Sequence, residues 1–314
     1  KDKTIVDINN AMMYTNKDNN ISFAQLLLRE EDYKKPKRYK NNEEQPKPVV
    51  KLNNEILKLL YKEERIFIQV IDKALSNSKK IEVYKISENF TDGFFCKVES
   101  SIYISSTLLN KDLTCVATWI NKLPHLHSIY GHTEILVRLQ LLLQKKVKNR
   151  YDYYVMELTT KDFQCPPLES IKNCRFCNER DFALLKDLQK QYHLEEVYTS
   201  TSSYPYNYEM AAFRHTLQNR KNAALFVNGI AVSKVYITAE SSDRYQLGGI
   251  FTRKQYRGQG CGWRVLSFFI YAIWQIQHKK KIFQLFVKKN NKAACALYKK
   301  IGFMAKDETS YFYY

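Results

Sequence analysis

Residues Tyr256-Arg257-Gly258-Gln259-Gly260-Cys261-Gly262 set three glycines at alternating positions behind an arginine. The chain holds only nine glycines in 314 residues, and none among its first ninety. Three together therefore mark a backbone with special demands. The segment follows a strand-like run, Tyr245 to Phe251, and precedes a long apolar helical run, Trp263 to Ile276. A turn of small residues ahead of a helix leaves backbone N–H groups without intrahelical partners at the positive end of the dipole. That arrangement binds phosphate. Dinucleotide-binding folds also use such turns, but after the first strand of a βαβ unit and with an acidic residue about twenty positions on. Here the turn comes late, and Lys279-Lys280-Lys281 stand near that distance. The dinucleotide reading fits poorly.

A second set follows about thirty residues later: Asn291-Lys292-Ala293-Ala294-Cys295-Ala296-Leu297-Tyr298, then Gly302-Phe303. The small residues at 293, 294 and 296 make a helix that another group can approach closely. Gly302 stands where a helix C-cap glycine belongs.

The elements that position these sets divide the chain into three parts. Residues 1–50 read as a polar arm or linker, with Lys35-Pro36-Lys37, Gln45-Pro46-Lys47-Pro48 and one short helix at Phe23 to Leu28. Residues 51–162 read as a first α/β domain. The spacing predicts a helix over Asn54 to Ser76 and an amphipathic helix over Thr133 to Val147. Strands are expected at Ile81 to Ile86, Gly93 to Val98, Ser101 to Ser105 and Tyr151 to Leu158. Residues 163–314 read as a second domain, opened by Cys165-Pro166-Pro167. Its expected order is strand (Ile171 to Phe176), helix (Asp181 to His193), a Ser/Tyr-rich loop (Tyr198 to Tyr208) and helix (Glu209 to Asn219). Two strands follow, Ala223 to Val227 and Ile230 to Ala239, joined by the hairpin signal Asn228-Gly229. Then come the strand before the turn, the apolar helix, a strand at Ile282 to Val287, a helix at Lys292 to Ile301 and final strand-like segments. Seven of the nine glycines lie in this domain, so the chemistry is expected there.

Over residues 168 to 314 the chain resembles the GNAT acetyltransferase superfamily. One half of that family's signature is Gln or Arg, two residues, Gly, one residue, then Gly or Ala, between the fourth strand and third helix. Arg257, Gly260 and Gly262 match it. The other half is matched by Asn291, Ala294, Leu297, Tyr298, Gly302 and Phe303. The resemblance implies that the backbone of Arg257, Gly258, Gln259, Gly260, Cys261 and Gly262 holds the pyrophosphate of acetyl-CoA. It implies that Tyr298 protonates the leaving thiolate and that Asn291, beside Ala294, holds the pantetheine arm. Ile250, Phe251 and Thr252 on the fourth strand would offer backbone groups to the same arm. Residues 51–162 resemble, through Ile129-Tyr130-Gly131-His132 and Tyr151 to Met156, the degenerate partner domain of two-domain GNAT proteins. The expected fold is thus α/β: a C-terminal GNAT-type mixed sheet flanked by helices, preceded by a smaller α/β or degenerate GNAT-like domain.

The family often uses a glutamate on or near the fourth strand as base. The strand here, Leu247 to Thr252, has no carboxylate. Glu195, Glu196, Glu209 and Glu240 are candidates, and Glu195-Glu196 comes first because it follows the helix that usually borders the acceptor cleft. A backbone carbonyl with a water chain is the alternative. Lys288 and Lys289 could meet phosphate or be solvated charges. Cys174-Arg175-Phe176-Cys177 with Cys165 and His193 is a poor zinc set, because a CxxC on a strand points its two thiols to opposite faces. No metal is expected. Cys261 and Cys295 read as packing residues, and Arg214 and His215 take no role.

The formal net charge is +18 and hydrophobic residues make up 45% of the chain, so a basic surface surrounds an ample core. No arginine-rich stripe appears, and nucleic acid is not the expected partner. The longest apolar run is too short to span a bilayer, so no membrane is expected. Seven scattered cysteines argue against a disulfide framework and for a reducing, cytoplasmic setting. The expected activity is transfer of an acetyl group from acetyl-CoA to a primary amine on a small molecule or peptide. The rival is a non-catalytic GNAT-fold module that binds an acidic partner or nucleic acid. Transfer of another acyl or aminoacyl group also stays open.

Overall fold

The computed structural model describes residues 47–49, 54–76, 81–87, 90–198, 204–277 and 281–314. The arm expected over residues 1–50, its short helix included, lies outside these residues except for 47–49. So do 199–203 in the Ser/Tyr-rich loop and Lys279-Lys280. In chain order the elements are β1 (Lys47–Val49), α1 (Asn54–Lys62), α2 (Glu64–Leu75), β2 (Ile81–Lys85), β3 (Phe94–Val98), β4 (Ser101–Ile104), α3 (Thr114–Asn121), β5 (Ser128–His132), α4 (Thr133–Gln140) and β6 (Asn149–Leu158). After these come β7 (Cys174–Cys177), α5 (Phe182–Tyr192), α6 (Tyr206–Asn219), β8 (Asn222–Val227), β9 (Ile230–Glu240), β10 (Arg244–Thr252), α7 (Cys261–Ile276), β11 (Ile282–Lys288), α8 (Lys292–Ile301) and β12 (Met304–Tyr313).

The chain divides into two compact units. One takes in β1, Lys80–Arg150 and Tyr311–Tyr314. Its strands run in the order β1-β2-β3-β4-β5, antiparallel except for the parallel pair β4–β5. The inward residues of α3 (Val116, Ala117, Ile120) and α4 (Ile135, Leu136, Leu139) close one core with Phe95, Ile102 and Ile129. Helix α3 is an element that the spacing of residues does not predict. It packs through Trp119, whose ring lies 4.4 Å from Tyr84 and 5.0 Å from Phe95. Helix α4 ends at Gln140 instead of running to Val147. Side-chain amides take over the backbone groups beyond it: Gln144 N–H donates to Asn121 Oδ1 at 2.9 Å and Gln140 Nε2 donates to Lys145 O at 3.0 Å.

The other unit takes in Asn53–Lys79 and Tyr151–Ser310. Helices α1 and α2 and strand β6, grouped by sequence with residues 51–162, cluster here with the C-terminal half. The cause is pairing and charge. β6 runs antiparallel to β11 from Phe283↔Leu158 to Lys288↔Tyr153. Half-buried Arg244 reaches both Glu157 of β6 (2.5 Å) and Glu64 of α2 (3.0 Å), while Arg65 pairs with Glu157 at 2.6 Å. The expected single helix breaks at Glu63 into α1 and α2. Strand order is β12-β6-β11-β10-β9-β8-β7, and β12 is one ten-residue strand whose last three residues belong to the other unit. The Asn228-Gly229 hairpin forms as expected, with φ of +50° and +77°. The strand read at Ile171 is instead a 3₁₀ turn, Leu168–Ile171, because Asn173 takes a left-handed φ of +65° before β7 begins.

Two irregularities position the site. β10 and β11 pair in parallel over only three residues, Arg244↔Ile282 to Gln246↔Gln284, then part company. The remaining lengths, Leu247 to Thr252 and Leu285 to Lys288, flank a splay. Helix α5 does not stop at His193 but continues as a π-helical turn, His193–Val197, closed by Tyr198 N–H donating to His193 O at 2.8 Å. Such a turn inserts a residue and rotates the side chains after it about the helix axis.

Candidate active site

The Arg257 to Gly262 turn joins β10 to α7, as its spacing requires. Gly258 and Gly260 both take φ of +75°, a region closed to most side chains. Where a Cβ would stand at either one, nothing lies within 4 Å. Gly260 is the N-cap of α7 and makes no side-chain cap bond. Among the described residues, no hydrogen bond is made by the N–H groups of residues 258–263. Six consecutive donors at a helix N-terminus are therefore left over, with open space around Gly258 and Gly260, which is what an anionic group needs. Arg257 stands beside them. Its Nε donates to Thr252 O at 3.0 Å, and its guanidinium lies 5.2 Å from the Phe251 ring centroid. Gln259 turns back to Gln255 O at 2.9 Å.

The structure brings the two motifs together. A Cβ on Gly262 would lie 3.3 Å from Leu297 Cδ2 and 3.4 Å from Thr252 Oγ1. Helices α7 and α8 thus meet the end of β10 at this point. Asn291 caps α8, its Oδ1 accepting from Ala294 N–H at 3.0 Å. That oxygen is committed to the helix, which leaves the Asn291 amide nitrogen for any other partner. Phe251 O accepts from Ser233 Oγ at 3.2 Å, so with Thr252 O on Arg257 two of the fourth-strand carbonyls are already engaged. Ile250 lies in a bulge of the same strand.

Tyr298 lies on the inner face of α8, buried, with its ring 6.0 Å from Phe303. Burial, then the Glu196 and Cys295 charges, raise its hydroxyl well above the usual tyrosine range, so it keeps its proton. Glu196 is pushed up to about 7 by burial and by neighbouring Glu195, against the pull of Lys288 and Arg257. Lys288, at the end of β11 that has parted from β10, is brought down to about 7 by burial, against the pull of Glu196. Its Nζ lies 4.3 Å from the Tyr151 ring centroid. A proton donor, a carboxyl that titrates near neutrality and a desolvated lysine therefore share one patch beside the splay.

The other carboxylates separate cleanly. Glu195 is exposed and pairs with Arg257 at 2.5 Å. Glu209 is buried and accepts from Tyr198 Oη, with His193 Nδ1 at 3.3 Å. Glu240 pairs with Lys281 at 2.6 Å. It also sits at the far end of β9, opposite Tyr245, whereas the turn end is marked by Ser233↔Thr252. Seven strand residues correspond to about 23 Å. Lys289 pairs with Glu308, and Arg214 with Glu179 at 3.2 Å. His193 is neutral, held down to about 3 by burial and by Lys234, with Gln189 Nε2 at 2.8 Å. Among the described residues, no group of three His, Cys, Asp or Glu could hold a metal ion. No helix among them is long and apolar enough to cross a membrane. Lys288, read from sequence as a phosphate contact or a solvated charge, instead stands buried against Glu196 and the Tyr151 ring, and Tyr151 is read from sequence only within the partner-domain resemblance.

Residues 226–312 match the profile of the FR47-like protein family. A solved Drosophila protein is 13% identical with a TM-score of 0.56, over 83% of this chain and 90% of its own. An acetyltransferase of the GNAT family from Colwellia psychrerythraea is 13% identical with a TM-score of 0.53, over 85% of this chain and 99% of its own. The fold is that of the GNAT acetyltransferases. The GNAT likeness read from two motifs in the C-terminal half extends, as a fold, over most of the chain. No curated protein matches the chain by sequence.

Proposed function

We propose that the chain is an N-acyltransferase that moves an acetyl group from acetyl-CoA directly to a primary amine. The observation that carries this reading is the turn. Six N–H groups without partners and two glycines with open space around them suit a pyrophosphate, and they stand at the mouth of the β10–β11 splay. When bound, acetyl-CoA supplies an acyl thioester. Residues 258–263 and Arg257 hold its phosphates, and the splayed edge of β10 takes the pantetheine arm, with the Asn291 amide nitrogen beside it. Glu196 takes a proton from the acceptor nitrogen. A carboxyl near 7 is ionised to a useful extent at neutral pH and still basic enough to accept. Tyr298 Oη, which holds its proton firmly, gives it to the departing sulfur. The basic surface does not favour a polycation, so the acceptor is a small amine or a neutral peptide.

Calorimetric titration of acetyl-CoA into the wild type and into Gly260→Glu tests the donor half. Nothing lies within 4 Å of a Cβ at Gly260, but its φ of +75° strains any side chain, so the melting temperature of the variant is measured alongside; its carboxylate lies where the phosphates would bind. The expected outcome is micromolar binding by the wild type and at least a 100-fold loss in the variant, as displacement of charge-assisted bonds implies. Absence of binding to the wild type would overturn the enzyme reading and favour a binding module.

A further inference from the structure

Lys234 lies midway along β9, 2% exposed, on the face covered by α5 and α6. Its Nζ donates to Gly249 O at 2.7 Å. Around it are the rings of Tyr192 at 4.4 Å, Tyr236 at 4.8 Å and Phe213 at 5.9 Å. Burial, offset by no charged group among the described residues, holds its pKa well below the ordinary lysine range. Burying such a group is costly, and a methionine would fill nearly the same volume without that cost. What only the lysine provides is the bond to one carbonyl.

That carbonyl belongs to a bulge. Between Gly248↔Tyr236 and Phe251↔Lys234, β10 sets two residues, Gly249 and Ile250, against Val235 alone. Gly249 has φ of +55°, and a Cβ there would lie 1.8 Å from Tyr236 Cε1, so no other residue fits. The 249–250 peptide is trans. In a trans peptide the oxygen and the N–H point in opposite directions. Fixing Gly249 O toward α5 and α6 therefore aims the Ile250 N–H away from them. The bulge lies beyond Gln246, in the length of β10 that has left β11.

We propose that Lys234 is a positioning residue: by holding Gly249 O, it aims the Ile250 N–H at the thioester carbonyl oxygen of the acyl donor in the splay. This rests on the acetyl-CoA reading above. Lys234 touches no substrate. It acts through one peptide plane, and that plane supplies the donor that polarises the carbonyl.

The test compares the wild type with Lys234→Met and Lys234→Gln, whose amide is a donor one bond short. Three quantities separate positioning from mere structure: melting temperature, affinity for CoA (which has no thioester), and the carbonyl stretch of bound carbonyl-¹³C acetyl-CoA. In the wild type the stretch should lie below that of free acetyl-CoA. In Lys234→Met it should return toward the free value, with CoA affinity within twofold and a melting temperature no lower than the wild type's. The kcat should fall roughly 30-fold at unchanged KM, less than the 10²–10³ that deleting an oxyanion donor costs. Lys234→Gln should fall between, and it carries the same readouts if the methionine variant does not fold. An unshifted stretch in either variant with normal kcat would overturn the positioning role alone. Wild type that binds no acetyl-CoA would overturn the donor reading, and this inference with it.

Discussion

The turn from Arg257 to Gly262 presents backbone, whereas the segment that meets it, His193 to Tyr198, presents side chains whose chemistry burial has altered. On the first, six N–H groups and two glycines do the work, and the side chains of Gln259 and Arg257 mostly brace the loop. On the second, Glu195 and Glu196 are neighbours with opposite surroundings. One is exposed and paired, the other desolvated and brought to about 7. A backbone site needs only the right residue sizes in the right order, so a few positions encode it locally. A tuned carboxyl needs a π-turn to rotate it, Lys288 from β11 to face it and enough packing to dry it.

Gly260→Glu strikes the backbone side and carries the largest expected effect. Glu196→Gln strikes the other side. It should lower kcat by about 10²–10³, within the range for loss of a general base, while CoA affinity stays within twofold. The pH profile supplies the sign. Glu196 acts as a base only when ionised, so kcat/KM of the wild type should rise with pH through about 7 and level off above it. In Glu196→Gln that acid limb should vanish. A limb that persists would assign the base elsewhere, with Glu209, buried and bonded to Tyr198, the next candidate. Tyr298→Phe should cost less, about 10- to 100-fold in kcat, because water can supply part of the proton. The loss should be smallest for acyl donors with a more acidic leaving thiol. Equal losses across such a series would remove Tyr298 as proton donor.

The same contrast explains what could be read from the residues alone. The motif spacings of Arg257, Gly260 and Gly262, and of Asn291 to Phe303, anticipate the turn, both helices and their family likeness. Each of those features is local. The strands β8 to β11 were legible for the same reason: alternation and the Asn228-Gly229 turn are short-range signals. The assignment of α1, α2 and β6 was not legible, because it depends on Glu64, Arg65, Glu157 and Arg244 meeting across as many as 180 residues. Nor was the end of α4, where Asn121 competes from another helix for backbone groups. The sequence marked Glu195-Glu196 as a pair but held nothing to rank them. Only burial does so. Lys234 resembles any other lysine in a strand until β10 bulges toward it.

Glu195→Gln is the smallest and sharpest test of the contrast. Its ion pair with Arg257 is surface-exposed, and such pairs contribute about 0–1 kcal/mol. Folding should therefore be unaffected. Two small effects are expected, and their directions matter more than their sizes. Arg257 loses its competitor for phosphate, so acetyl-CoA affinity should improve, by no more than a few-fold. Glu196 loses a like charge that raises it, so the acid limb of kcat/KM should move to lower pH. Both shifts should shrink as salt rises, since the charges are exposed and screened. A kcat loss as large as that of Glu196→Gln would reverse the assignment. It would make the exposed carboxylate the base and the half-buried one its support.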